Sequence, residues 1–98
     1  MKFEDFKQLI TLIQNASKYI DTLYDLNVDI TNSVLLDSYY KITDKYLNTI
    51  VKNGEALDLI YWYLYENVDK VITVEDKPID VSDIKDFYNF LATNNYLV

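Results

Sequence analysis

Sixteen carboxylates are the most abundant reactive groups in this 98-residue chain. Asp76 and Asp80 flank a turn-like tetrapeptide, and Asp83 and Asp86 share one side of a helical segment. Two carboxylates can divide acid and base work when a cleft raises the pKa of one of them. A domain this small with a helical core leaves little room for such a cleft. The run Asp76-Lys77-Pro78-Ile79-Asp80 lacks the glycine, the alternating ligands and the closing glutamate of a calcium loop. The absent residue types exclude more. Without His, the usual general base and the commonest zinc ligand are missing. Without Cys, thiolate metal sites and disulfides are missing, and without Arg there is no bidentate clamp for phosphate. A single Gly cannot build a glycine-rich phosphate loop. Nothing implies a cofactor, and the inventory argues against an enzyme.

Two features remain as candidates for function. One is the acid set Glu66, Asp69, Glu75, Asp76, Asp80, Asp83 and Asp86. The other is the aromatic block Tyr61, Trp62, Tyr63 and Tyr65, four aromatics in five positions that include the only Trp. Aromatics ringed by polar groups are typical anchors of protein interfaces. The surface expected for a partner therefore comprises the seven acids with Trp62, Tyr63 and Tyr65. The simpler reading of each feature is a solubilising face and a packed core.

Charge is placed unevenly. Formal net charge is −7. Residues 1–52 carry seven acids against six lysines, a net of −1, and residues 53–98 carry nine against three, a net of −6. Such a field repels nucleic acid, so direct binding to it is not expected. It attracts a basic protein and speeds encounter with one. No apolar run approaches the ~20 residues of a membrane span. Met1 leads into a charged amphipathic segment unlike a signal peptide, so an intracellular location is expected.

The elements that must position these groups follow from periodicity. Length and composition indicate one domain over residues 1–98. Over residues 3–26, Phe6, Ile10, Ile13, Ile20 and Tyr24 share one stripe, flanked by Leu9, Ala16 and Leu23. Asn27-Val28-Asp29 reads as a loop. Thr31, Asn32 and Ser33 offer caps for a second helix whose stripe is Leu35, Tyr39, Ile42, Tyr46 and Ile50. A second row, Leu36, Tyr40, Leu47 and Val51, lies beside it. Asn53-Gly54 is expected to end that helix, with Gly54 in a left-handed C-terminal position. Glu55 opens a third helix, with Leu57, Ile60, Tyr61, Leu64 and Val68 on one arc. Leu59, Trp62 and Tyr63 fall opposite, among Glu55 and Glu66. Val71, Ile72 and Val74, then Ile79 and Val81, read as two strands around a turn at 75–78. Ser82 is expected to cap a last helix with Ile84, Phe87, Tyr88 and Leu91 buried, ending at Asn94-Asn95. The fold class is α+β, mostly α: three helices, a short β-hairpin and a C-terminal helix.

The stretch Leu23-Tyr24-Asp25-Leu26-Asn27-Val28-Asp29-Ile30 carries a resemblance. With the Trp-centred segment 59–67 and the last helix 84–91, the chain resembles small, acidic, uncharacterised proteins of tailed phages and prophages. Asn27 stands where that pattern has Gly, and Tyr61 where it has a polar residue. The resemblance implies a phage setting in the host bacterial cytoplasm and supplies no catalytic residues. By association of context it points to an inhibitor of host defence, of the anti-CRISPR or DNA-mimic kind, acting on a basic host protein such as a defence nuclease. The alternative it leaves open is a structural or accessory phage protein that assembles as a homodimer or larger homo-oligomer.

Overall fold

The computed structural model describes residues 1–25, 34–66 and 69–98. The expected loop at 27–29, the caps Thr31, Asn32 and Ser33, and Val68 lie outside the described residues, as do the side chains of Leu23, Tyr24, Leu35 and Leu36. Helix α1 spans Phe3–Asp25, α2 Val34–Ile50, α3 Gly54–Tyr61 and α4 Ile84–Thr93. A π turn, Trp62–Glu66, continues α3. Strands β1 (Val71–Val74) and β2 (Lys77–Asp80) form an antiparallel hairpin between the π turn and α4. The architecture is α+β and mostly α, in the element order expected from periodicity.

The core grows from α1. Phe6, Ile10, Ile13 and Ile20 are buried, the stripe predicted by their spacing. Phe6 meets α4 through Phe87 and Tyr88, with ring centroids 6.2 and 5.5 Å away. On α4 the predicted stripe holds: Phe87 and Leu91 are buried, and Ile84 and Tyr88 pack half-buried against the same core. The last turn closes as a Schellman motif. Asn95 takes φ 62°, its N–H donates to Ala92 O, and the Tyr96 N–H donates to Leu91 O. The chain then lies antiparallel to the end of α2, with the Lys52 N–H on Tyr96 O and the Val98 N–H on Ile50 O, both 2.9 Å. That pairing buries Leu97 beside Val51.

Four local readings are corrected. On α2 the buried face is Thr43, Leu47 and Ile50, with Tyr39 half-buried; Ile42 and Tyr46 are 55 % and 54 % exposed. The inward face lies between the two predicted rows, because a polar Thr43 carries the stripe that the apolar count assigned to Ile42. Gly54 does not end α2. It opens α3, and no glycine has positive φ. Asn53 is the cap of α3, its side-chain oxygen accepting the Ala56 N–H at 2.9 Å. Likewise Asp83, not Ser82, caps α4, accepting the Lys85 N–H at 2.7 Å.

The turn of the hairpin is shorter than expected. Glu75 and Asp76 both have positive φ, 52° and 63°, as a two-residue type I′ turn requires, and β2 starts at Lys77. With Val74 facing Lys77 across the turn, Pro78 falls opposite Thr73. In a two-residue hairpin that second pair is the non-hydrogen-bonded one, so the missing N–H of Pro78 removes no ladder bond. A lone two-stranded hairpin is marginal in water. This one is anchored by buried Ile72, by fully buried Val81 and by the Val81 N–H on Lys70 O at 2.8 Å.

Candidate functional site

Helix α3 and its π turn divide the aromatic block among three environments. The Asn53 cap fixes where the helix begins, and from it Ala56, Ile60 and Tyr63, spaced four and three apart, turn inward and are buried. The expectation that Tyr63 faces a partner is therefore corrected. The inward arc runs through Ala56, Ile60 and Tyr63 and not toward Leu57 and Tyr61, because Ala56, though small, is fully buried. Tyr63 is 4 % exposed, stacks on Phe87 at 4.1 Å and 5°, and donates its hydroxyl to Ser82 O at 3.3 Å. Burial, and then the nearby Asp83 charge, raise its phenol pKa. Lys70 closes the edge of this stack: its ammonium donates to the Tyr63 carbonyl and sits 4.7 Å from the Tyr63 ring centroid. Partial burial lowers the Lys70 pKa.

Tyr61 and Tyr65 turn toward α2. The Tyr61 hydroxyl donates to Asp44 Oδ1 at 3.0 Å, and its ring stacks on Tyr65 at 6.1 Å. Tyr65 shares a hydrogen bond with the Tyr39 hydroxyl, which also reaches Ile13 O at 3.4 Å. Burial first, and then the Asp44 hydrogen bond and charge, push the Tyr61 pKa up to about 12. Burial and the Tyr39 hydrogen bond raise that of Tyr65 further. Tyr65 is thus 41 % exposed yet already engaged within the fold.

Trp62 occupies the third environment. It lies with Leu59 on the side of α3 that faces the hairpin. Together with Val71, Ile72 and Tyr96 these residues floor an open groove of about 630 Å³. Glu55, Asp58 and Glu66 stand along the same groove, and no lysine lines it. Residues 55, 58, 59, 62 and 66 follow one another at spacings of three, one, three and four, which places them on a single stripe of the helix. All three carboxylates are exposed. Trp62 itself is half-buried, packed against the core and lining the groove.

The remaining acids of the predicted set are dispersed. Glu75 and Asp76 form the hairpin tip, and Asp80 lies at the far end of β2, roughly 13 Å away for four residues of strand. Asp80 is committed locally: its carboxylate accepts the Ser82 hydroxyl and N–H at 2.7 and 2.9 Å, and these bonds hold its pKa below the usual range. Asp83 caps α4 and Asp86 lies in its first turn. Asp69 is exposed and has interactions of its own. No group of three acids suited to hold a metal ion occurs among the described residues. Of the predicted surface, Trp62 and Glu66 are brought together. The groove adds Glu55, Asp58 and Tyr96, of which Glu55 was legible beside Trp62 from helical angle, whereas Tyr96 arrives through the C-terminal pairing with α2.

A second concavity is mostly apolar, with Thr43 the polar residue of its aliphatic and tyrosine lining. Leu9, Leu12 and Ala16 of α1 face Tyr39, Ile42 and Tyr46 of α2 across about 240 Å³. Leu12 is 66 % exposed there. No helix among the described residues is long and apolar enough to cross a membrane. No protein-family model matches the chain, and no curated protein or solved structure matches it either.

Proposed function

We propose that this chain is a non-enzymatic, phage-derived binding protein that blocks a basic host protein in the bacterial cytoplasm. A nucleic-acid-handling defence nuclease is the favoured target, and the mode of action is that of an anti-CRISPR or nucleic-acid-mimic inhibitor. The observation that carries this reading is the groove in which Trp62 lies among Glu55, Asp58 and Glu66 with no lysine lining it. The net of −6 over residues 53–98 supports it, because a one-signed field steers an oppositely charged partner. The missing His, Cys and Arg support a binding role over catalysis. Affinity capture from a bacterial host lysate, paired with phage plating on cells expressing the protein, tests the reading. Recovery of a basic nucleic-acid-handling protein and a gain in plating are expected. Capture of no such protein, with plating unchanged, overturns it.

The apolar strip between α1 and α2 favours a second reading, a homo-oligomeric structural or accessory phage protein. Leu12, Ile42 and Tyr46 are exposed there in a row on neighbouring helices, as they are on protomers that bury such faces against their own copy. Sedimentation velocity separates the two readings: a dimer that persists on dilution supports the second, and a monomer at all concentrations removes it.

A further inference from the structure

The groove beside Trp62 also specifies what it would hold. Its floor is apolar and aromatic, and its rim carries Glu55, Asp58 and Glu66. A hydrated metal ion is a poor occupant, since an indole and aliphatic side chains offer it no ligands, and no metal-binding group of acids occurs among the described residues. An apolar peptide would leave three carboxylates unanswered. The occupant that matches both parts has a long aliphatic stem and a cationic head, as Arg and Lys side chains do. Trp is the strongest aromatic partner for a cation placed over its face. A planar guanidinium adds forked hydrogen bonding to a carboxylate and is more weakly hydrated than an ammonium, so it favours Arg over Lys. At about 630 Å³ the groove exceeds one side chain and suits a short basic segment.

We infer that this groove is the docking site for an arginine-bearing segment of a protein partner, with one guanidinium over the Trp62 indole and Glu55, Asp58 and Glu66, spread along the groove, answering the cationic groups of the segment. This rests on the binding-protein reading above and assigns its anchor. The hairpin tip, with Glu75 and Asp76, contributes long-range attraction and no contact in the groove.

Trp62 is the only Trp, so its emission reports occupancy directly. The probe is a capped pentapeptide, Ala-Arg-Ala-Arg-Ala, titrated into the intact protein beside its Lys and Gln counterparts. A saturable change in Trp62 emission with the Arg peptide is expected, weaker with Lys and absent with Gln, and diminishing as salt rises. The variant Glu55→Gln/Asp58→Asn/Glu66→Gln should weaken Arg-peptide binding at least about tenfold, or about 1.4 kcal/mol. Glu75→Gln/Asp76→Asn removes two charges elsewhere and should leave it within about twofold. Far-UV circular dichroism of both variants confirms that each is folded. No saturable response to the Arg peptide, or equal response to the Gln peptide, overturns the assignment. So does a host partner captured equally well by the groove variant, and that result leaves the broader binding reading standing on another surface.

Discussion

The ring of Tyr63 lies 4.1 Å from that of Phe87 and within 5° of parallel, joining the π turn of α3 to the middle of α4. Phe87 also meets Phe6 of α1 at 6.2 Å in a tilted arrangement, so one aromatic cluster ties three helices together. Both residues are buried, and truncating either to Ala should cost about 3–5 kcal/mol in denaturant unfolding. The double variant should show a coupling of about 0.5–1.5 kcal/mol. Additive losses would mean that the rings share a core without interacting. Tyr63→Phe keeps the stack and loses only the hydroxyl bond to Ser82 O, an effect of about 1 kcal/mol.

Gly54 separates two local structures that the sequence allows. In the left-handed C-terminal role suggested by Asn53-Gly54, Gly54→Ala would destabilise the protein. At the start of α3, with no positive φ and nothing within 4 Å of an added Cβ, the same change should stabilise by about 0.4–1 kcal/mol. Asn53→Ala should lower stability by about 0.5–2 kcal/mol through loss of the cap on Ala56. Thermal unfolding of the two variants reads both signs.

The hairpin tip holds two acidic residues in a conformation that suits neither. Glu75 and Asp76 both sit at positive φ, which non-glycine residues adopt at a cost of about 1 kcal/mol or more. Glu75→Asn/Asp76→Gly supplies the pair that type I′ turns prefer and should raise stability by about 0.5–2 kcal/mol. Slower amide exchange at Ile72 and Ile79, the facing pair in the middle of the ladder, should accompany it.

The two faces of α2 differ sharply in burial. Leu47 is fully buried and Ile42 is 55 % exposed. Leu47→Ala should cost about 2–5 kcal/mol. Ile42→Lys should change the stability of the monomer by no more than about 0.5 kcal/mol. If the α1–α2 strip is an interface between copies, Ile42→Lys abolishes the dimer instead, and sedimentation detects that without any change in the fold.

Residues 3–25, 71–74 and 84–93 were legible from spacing because the buried residues of each, such as Phe6, Ile10 and Ile13 of α1, follow one regular period. Helix α2 was not, since apolar residues encircle much of it and Thr43 carries the inward stripe. The aromatic block resisted for the same reason. Trp62, Tyr63 and Tyr65 have similar chemistry but enter a groove, the core and a tyrosine cluster respectively. Only the cap at Asn53 and the small, buried Ala56 decide which residue goes where. Charge counted along the chain does not show which acids are engaged locally, and two of the set, Asp80 and Asp83, are spent on local hydrogen bonds.

The tyrosine cluster makes stability depend on alkaline pH, and the sign can be worked out. The unfolded chain releases phenol protons near pH ~10. In the folded protein Tyr61 keeps its proton up to about 12, and Tyr63 and Tyr65 are raised as well. The folded state therefore binds more protons than the unfolded state above pH ~10, so the stabilisation is complete below that pH and is lost as pH rises through the folded values. Unfolding midpoints should hold steady up to pH ~9 and fall steeply from pH ~10 to ~12. Absorbance at 295 nm at pH ~11 should show fewer tyrosinates in native protein than in denaturant, where about nine of the ten ionise at that pH. Tyr61→Phe should remove one proton from the delayed class. Asp44→Asn takes away the carboxylate but not the burial, which is the larger cause, so Tyr61 should ionise earlier than in the native chain yet still later than an exposed tyrosine. Ionisation of all ten as one class in native protein would show that Tyr61 and Tyr65 stand open to water and that the contact between α2 and the π turn does not form.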